Sequence, residues 1–140
     1  LSDQNQGDKY GPKSFSQGKL SVSHESESEW DDNKKKNYSY RDLGIYDQTG
    51  GKLRAHLVRP RKSPDGAIQK HYHKVDFHMA YVIQGWSLTH FEGVGEVRMD
   101  VGSCMYQEPE LAHWLIDCSD DYTVLEIYVP GDPETIELEA

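Results

Sequence analysis

The chain has 140 residues, room for one domain. Its formal net charge of -9, with only 36% hydrophobic residues, excludes nucleic acid as a partner, because binding a phosphate backbone requires a net basic face. No apolar run is long enough for a membrane-spanning helix and no apolar stretch follows a basic start, so neither a membrane partner nor a signal peptide is expected, and a cytoplasmic location is.

Residues 1–37 are rich in Ser, Asp, Glu, Lys, Gln and Gly, and they bury too little apolar surface to offset the entropy lost on ordering. They read as a polar, mobile arm whose few apolar anchors include Leu20, Val22 and Trp30. From Tyr38 onward, short apolar runs alternate with Gly, Pro and Asp, the pattern of an all-β domain spanning 38–140. Strands are expected near 40–46, 52–59, 67–73, 78–84, 86–91, 95–99, 103–107, 112–117 and 122–129. Turns fall between them at Thr49-Gly50-Gly51, Ser63-Pro64-Asp65-Gly66, Gly93-Val94-Gly95, Asp100-Val101-Gly102 and Ser119-Asp120-Asp121. So many short strands suit a closed barrel or jelly roll, which also protects sheet edges.

Among seven histidines, His71 and His73 stand two apart in an extended run, so they point to one face and into one space. His78 opens the next apolar run, and a hairpin between 73 and 78 would set it beside the first pair. His113 begins a further strand after Pro109. Four imidazoles inside one barrel leave many polar atoms to satisfy unless a metal or other partners take them. Neutral imidazole suits Fe, Ni, Zn and, with less preference, Mn.

The segment Gly66-AIQK-His71-Tyr72-His73-KVDF-His78-MAYVIQ-Gly85 resembles the first motif of the cupin superfamily, with one residue fewer after the first Gly and His78 where that family usually has Glu. Gly102-SCMYQE-Pro109-ELA-His113 is similar to the second motif, without its Gly after the Pro and with Asp117 in place of its Asn. The resemblance covers about residues 40–130, and the spacing from Gly85 to Gly102 is close to that of small single-domain bacterial cupins. It implies an RmlC-like jelly-roll barrel holding one divalent ion (Fe, Mn, Ni or Zn) on His71, His73, His78 and His113. An alternative placement leaves His78 as a pocket residue beside a three-histidine site.

By the same resemblance, the function is that of a metal-binding cupin acting on a small molecule. One form is a non-haem dioxygenase, favoured by all-histidine cupin sites. The other is a non-catalytic cupin whose metal fixes a small anionic ligand. With His78 in place of Glu, the usual carboxylate for proton transfer is missing. A homodimer is also implied.

Other residues allow two readings each. Asp76 caps a hairpin or accepts a hydrogen bond from a ligand imidazole. His56 and Arg54 share a strand face, towards pocket or solvent, and His90 is placed on the barrel surface. Tyr106 and Gln69 approach substrate only if their faces are inward, which strand parity leaves open. Trp86 and Trp114 read as core or subunit-contact residues. Cys104 and Cys118 form no CxxC pair and read as two small thiols.

Overall fold

Residues that alternate between apolar and polar along an extended chain expose one row of side chains to each face, so a sheet built from them has an inside and an outside. The computed structural model describes residues 18–35, 37–61 and 69–139. Its strands are β1 (Asp31–Lys35), β2 (Tyr38–Asp42), β3 (Arg54–Pro60), β4 (His71–Lys74), β5 (Phe77–Gln84), β6 (Trp86–Phe91), β7 (Gly95–Asp100), β8 (Cys104–Tyr106), β9 (His113–Cys118), β10 (Thr123–Val129) and β11 (Glu134–Glu137). One helical turn, α1 (Ile45–Gln48), joins β2 to β3.

The strands form two antiparallel sheets, one in the order β1-β2-β3-β10-β5-β8 and the other in the order β11-β4-β9-β6-β7. The fold is a jelly roll of two facing sheets, and no ladder joins the sheets among the described residues. Inward rows are visible in the burial of His78, Ala80 and Val82 on β5 and of Ser87, Thr89 and Phe91 on β6. Between these strands the chain passes from one sheet to the other at Gly85, where φ is +72° and an added Cβ would lie 2.9 Å from Tyr122 Cα. Only glycine takes that conformation without steric cost, and here the space is also closed.

Val58, Ala80, Val82, Tyr122 and Val124 make the fully buried apolar cluster, with Tyr38, Tyr40, Met99 and Met105 packed against it. Both sheets contribute to this layer, which floors the space into which the histidines project.

Several expectations change in detail. The strand expected at 40–46 begins at Tyr38 and stops at Asp42, because Gly44 at φ +84° turns the chain into α1. The hairpin expected between 73 and 78 is a corner instead: β4 and β5 lie in different sheets. Val75 is buried there and Asp76 N donates to Val129 O at 2.7 Å, which fastens the crossing. The expected turn at 63–66 and the start of the strand expected at 67–73 lie outside the described residues, as do residues 1–17 and 36 of the segment read as an arm.

The described end of that segment lies on the barrel. Its residues 31–35 form β1, an edge strand paired with β2. Ser39 Oγ donates to Asp32 Oδ1 at 2.6 Å, Arg41 Nη2 donates to Ser23 O at 3.3 Å, and the Arg59 guanidinium covers the Trp30 ring at 4.2 Å. Backbone ladders form whatever the side-chain pattern, so the polar run DDNKK gives no alternation by which to recognise the strand. Leu20 and Val22 are exposed, so Trp30 alone of the three apolar anchors is half-buried.

Candidate metal centre and binding cavity

The antiparallel register between β4 and β9 pairs His71 with His113. Period two along β4 then puts His73 on the same inward face as His71. The three rings lie with centroids 4.3 Å (His71 to His113), 4.9 Å (His71 to His73) and 5.2 Å (His73 to His113) apart. One nitrogen from each lies within 4.8 Å of the others, so His71, His73 and His113 can hold a metal ion.

The opposite ring nitrogens are already engaged. His71 Nδ1 lies 2.8 Å from Gln69 O, and His113 Nδ1 lies 2.9 Å from Leu111 O, in each case the carbonyl two residues earlier. A carbonyl only accepts, so both rings carry their proton on Nδ1 and present the Nε2 lone pair. His73 Nδ1 lies 3.0 Å from Thr135 Oγ1, an oxygen that also accepts from Lys35 Nζ at 3.2 Å. The Gln107 side-chain amide stands 3.1 Å from His113 Nδ1. Imidazoles anchored through one nitrogen with the other free are how protein metal sites fix ring orientation and tautomer. The donor set therefore fits a divalent ion that accepts nitrogen ligands.

Burial pushes the His73 imidazole down to about 3 and the His113 imidazole down to about 4, and lowers His71 in the same direction. These rings stay neutral, and able to bind metal, well into the acid range. In the unfolded chain they take up protons near 6.5, so folding stability is complete above that pH and is lost as pH falls towards the folded values. The melting temperature of metal-free protein is expected to fall steadily from about pH 6.5 to pH 4. A flat melting profile across that window would contradict this account of the rings.

His78 reaches the same cavity from the opposite sheet, with its ring centroid 5.4 Å from that of His73. It stands outside the group of three. Its Nε2 lies 2.6 Å from Glu126 Oε2, and its Nδ1 is buried without a hydrogen-bond partner. The same Glu126 oxygen accepts from Tyr128 Oη at 2.8 Å, while His56 Nε2 stands 3.7 Å from Oε1. Burial would push the Glu126 carboxyl up, but the facing imidazoles of His56 and His78 outweigh it and hold the group well below the usual carboxylate range. The centre of the barrel thus carries a buried anion.

Sequence reasoning missed Glu126. The available signal is a lone acidic residue inside the apolar run TVLEIYV, at the parity of Val124 and Tyr128. Glu126 thus puts a buried carboxylate beside His78, the residue that stands where the resembled motif usually has Glu.

A cavity of about 110 Å³ joins these groups. It is lined by the four histidines His71, His73, His78 and His113, by Lys35, Gln107 and Glu126, and by apolar and aromatic walls that include Tyr38, Tyr40, Phe91 and Met105.

The remaining expectations separate by which face is inward. His56 is buried, between Tyr40 and Tyr128, rather than exposed. Arg54 hydrogen-bonds Gly131 O and Asp42 instead of reaching the cavity. Tyr106 is 63% exposed and packs on Phe77, so it faces away from the cavity. Gln69 donates its side-chain amide to Leu138 O. His90 stacks on Trp114 at 4.1 Å, and the Arg98 guanidinium covers Trp86 at 4.6 Å; both tryptophans are half-buried, not core. Cys104 and Cys118 are not joined in a disulfide.

No protein-family model matches the chain, and no curated protein matches it in sequence. Solved structures do match in fold. The polyketide cyclase RemF from Streptomyces resistomycificus superposes with a TM-score of 0.70 at 12% identity, covering 87% of each chain. KdgF from Halomonas sp. superposes with a TM-score of 0.61 at 17% identity, covering 79% of this chain and 94% of the other. An RmlC-like cupin from Shewanella frigidimarina NCIMB 400 gives 0.62 at 18% identity, covering 81% and 94%. An Fe(II) form of HppE gives 0.58 at 14% identity, and the chain spans 60% of it. No helix among the described residues is long and apolar enough to cross a membrane.

Proposed function

We propose that this chain, which has the RmlC-like cupin fold, is a metal-dependent enzyme acting on a small, oxygen-bearing ring or enolisable ketone. The observation that carries this reading is the set of three imidazoles anchored through Nδ1, with their free nitrogens within 4.8 Å of one another beside a cavity with aromatic walls. His71, His73 and His113 hold the ion, and His78, whose Nε2 faces Glu126, lines the cavity beside them. A divalent ion bound there supplies Lewis-acid polarisation of a substrate oxygen.

The chain's own residues do the remaining work. The carbonyls of Gln69 and Leu111 hold two rings in the binding tautomer. Tyr38, Tyr40 and Phe91 wall the cavity against water and offer ring faces for a flat substrate. Glu126 keeps a fixed negative charge inside the barrel, and His78 and Tyr128 keep it oriented.

The likeness to a polyketide cyclase supports ring closure of a ketone-bearing substrate as the first reading. A dioxygenase is the second reading, supported by the all-histidine donor set and by the likeness to an Fe(II) protein. The two separate by turnover of phenolic diketones, catechols and flavonols with Zn-loaded and Fe-loaded protein, in air and under nitrogen. The first reading expects product without oxygen consumption and with either metal; the second expects it with Fe in air alone. Equal turnover with and without bound metal would sink both.

A further inference from the structure

Glu126 is used unevenly. Oε2 accepts from both His78 and Tyr128, whereas Oε1 has no hydrogen-bond donor among the described residues, its neighbour His56 standing 3.7 Å away. The side chain is 15% exposed, and the surface it is exposed to is the cavity that it lines. A carboxylate oxygen in a low-dielectric space that keeps a free lone pair is an unmet acceptor, and a ligand that displaces water from it without replacing the hydrogen bond meets the full desolvation cost. Such a site discriminates strongly between ligands that differ by one donor.

From this geometry we infer that Glu126 selects the ligand of the cavity, and that the ligand is a ring bearing a phenolic or enolic hydroxyl that donates to Glu126 while a second oxygen faces the histidines. The second half of this statement rests on the reading of the histidines as a metal centre; the first half does not. The donor is a neutral O–H and not an ammonium. Lys35 Nζ, hydrogen-bonded to Thr135 beside His73, and a divalent ion on the histidines both place positive charge in the same cavity and oppose a cationic ligand. A carboxylate-bearing end is repelled by Glu126 itself. The walls between the two polar ends, Tyr40, Phe91, Met105 and Val124 among them, suit the faces of a ring.

The test uses the full chain loaded with zinc and two acetophenones that share an ortho-hydroxyl next to the ketone. They differ only at the para position, hydroxyl in one and methyl in the other. Calorimetric titration is expected to show the para-hydroxyl compound binding about tenfold or more tightly, the size of a hydrogen bond to a charged group. In Glu126→Gln protein, with zinc content measured alongside, the ratio is expected to shrink several-fold towards unity. Equal affinities in the unaltered protein overturn the inference without any variant, and so does a ratio that Glu126→Gln leaves unchanged. A chain that takes up no zinc but keeps the para-hydroxyl preference defeats the metal centre and leaves the role of Glu126 standing.

Discussion

In a His73→Ala protein made without an affinity tag, bound divalent metal is expected to fall from the about one equivalent expected of the unaltered protein to less than about a tenth of one. His73 is the deepest ring of the site. It is the most buried of the three converging imidazoles, and its centroid is about as close to that of His113, across the strand pair, as to that of His71 beside it. Without it, His71 and His113 remain as a pair, too few nitrogens to hold a divalent ion against buffer. Elemental analysis of the purified protein reads the result directly. A His90→Ala protein serves as the comparison, because His90 stacks on Trp114 away from the site. It is expected to keep its full equivalent. If His73→Ala kept it as well, the metal centre would have to lie elsewhere.

The second large effect concerns stability. Replacing Glu126 with leucine is expected to lower the unfolding free energy of metal-free protein by about 3 kcal/mol, the scale on which one partner of a buried charged network is lost. Leucine fills much of the volume but leaves His78 Nε2 and the Tyr128 hydroxyl, now at 2.6 and 2.8 Å from a carboxylate oxygen, without an acceptor. His78 Nδ1 and His56 Nε2 have no partner even in the intact protein, so the network has no reserve of alternatives. Glu126→Gln keeps an acceptor and is expected to lose less. Denaturant titration at neutral pH measures both variants. A loss below about 1 kcal/mol for the leucine protein would show that the cluster reorganises, and that Glu126 is not the anchor described here.

Both predictions depend on residues that differ in how readable they are from sequence. His71 and His73 are legible because a strand repeats every two residues, so HYH sends both imidazoles to one side whatever surrounds them. His113 is legible only through its motif spacing, and its place opposite His71 comes from the β4 to β9 register. His78 is the instructive case. Proximity along the chain suggests a hairpin, yet β4 and β5 belong to different sheets, and His78 enters the cavity facing the other three. Chain distance does not distinguish a turn within a sheet from a corner between sheets; the buried Val75 and the Asp76 to Val129 hydrogen bond decide it.

Glu126 shows the same limit from another direction. An acidic residue in an apolar strand is visible, but alternation defines two faces without saying which is inside. That parity leaves Tyr106 and His56 undecided, and packing resolves them in opposite senses, outward and inward.

What the amino-acid sequence determined alone was therefore the part governed by local periodicity: an all-β chain, its strands after Tyr38 except β11, and the shared face of His71 and His73. Tertiary structure decided which faces meet. Sheet register joined His113 to His71, carbonyls two residues upstream set the tautomers of both, and the facing sheet brought Glu126 and His78 into the same cavity. The physical reason is that side-chain direction in a strand is a short-range property, whereas burial, pairing and protonation depend on groups brought together from distant positions by the packing of two sheets.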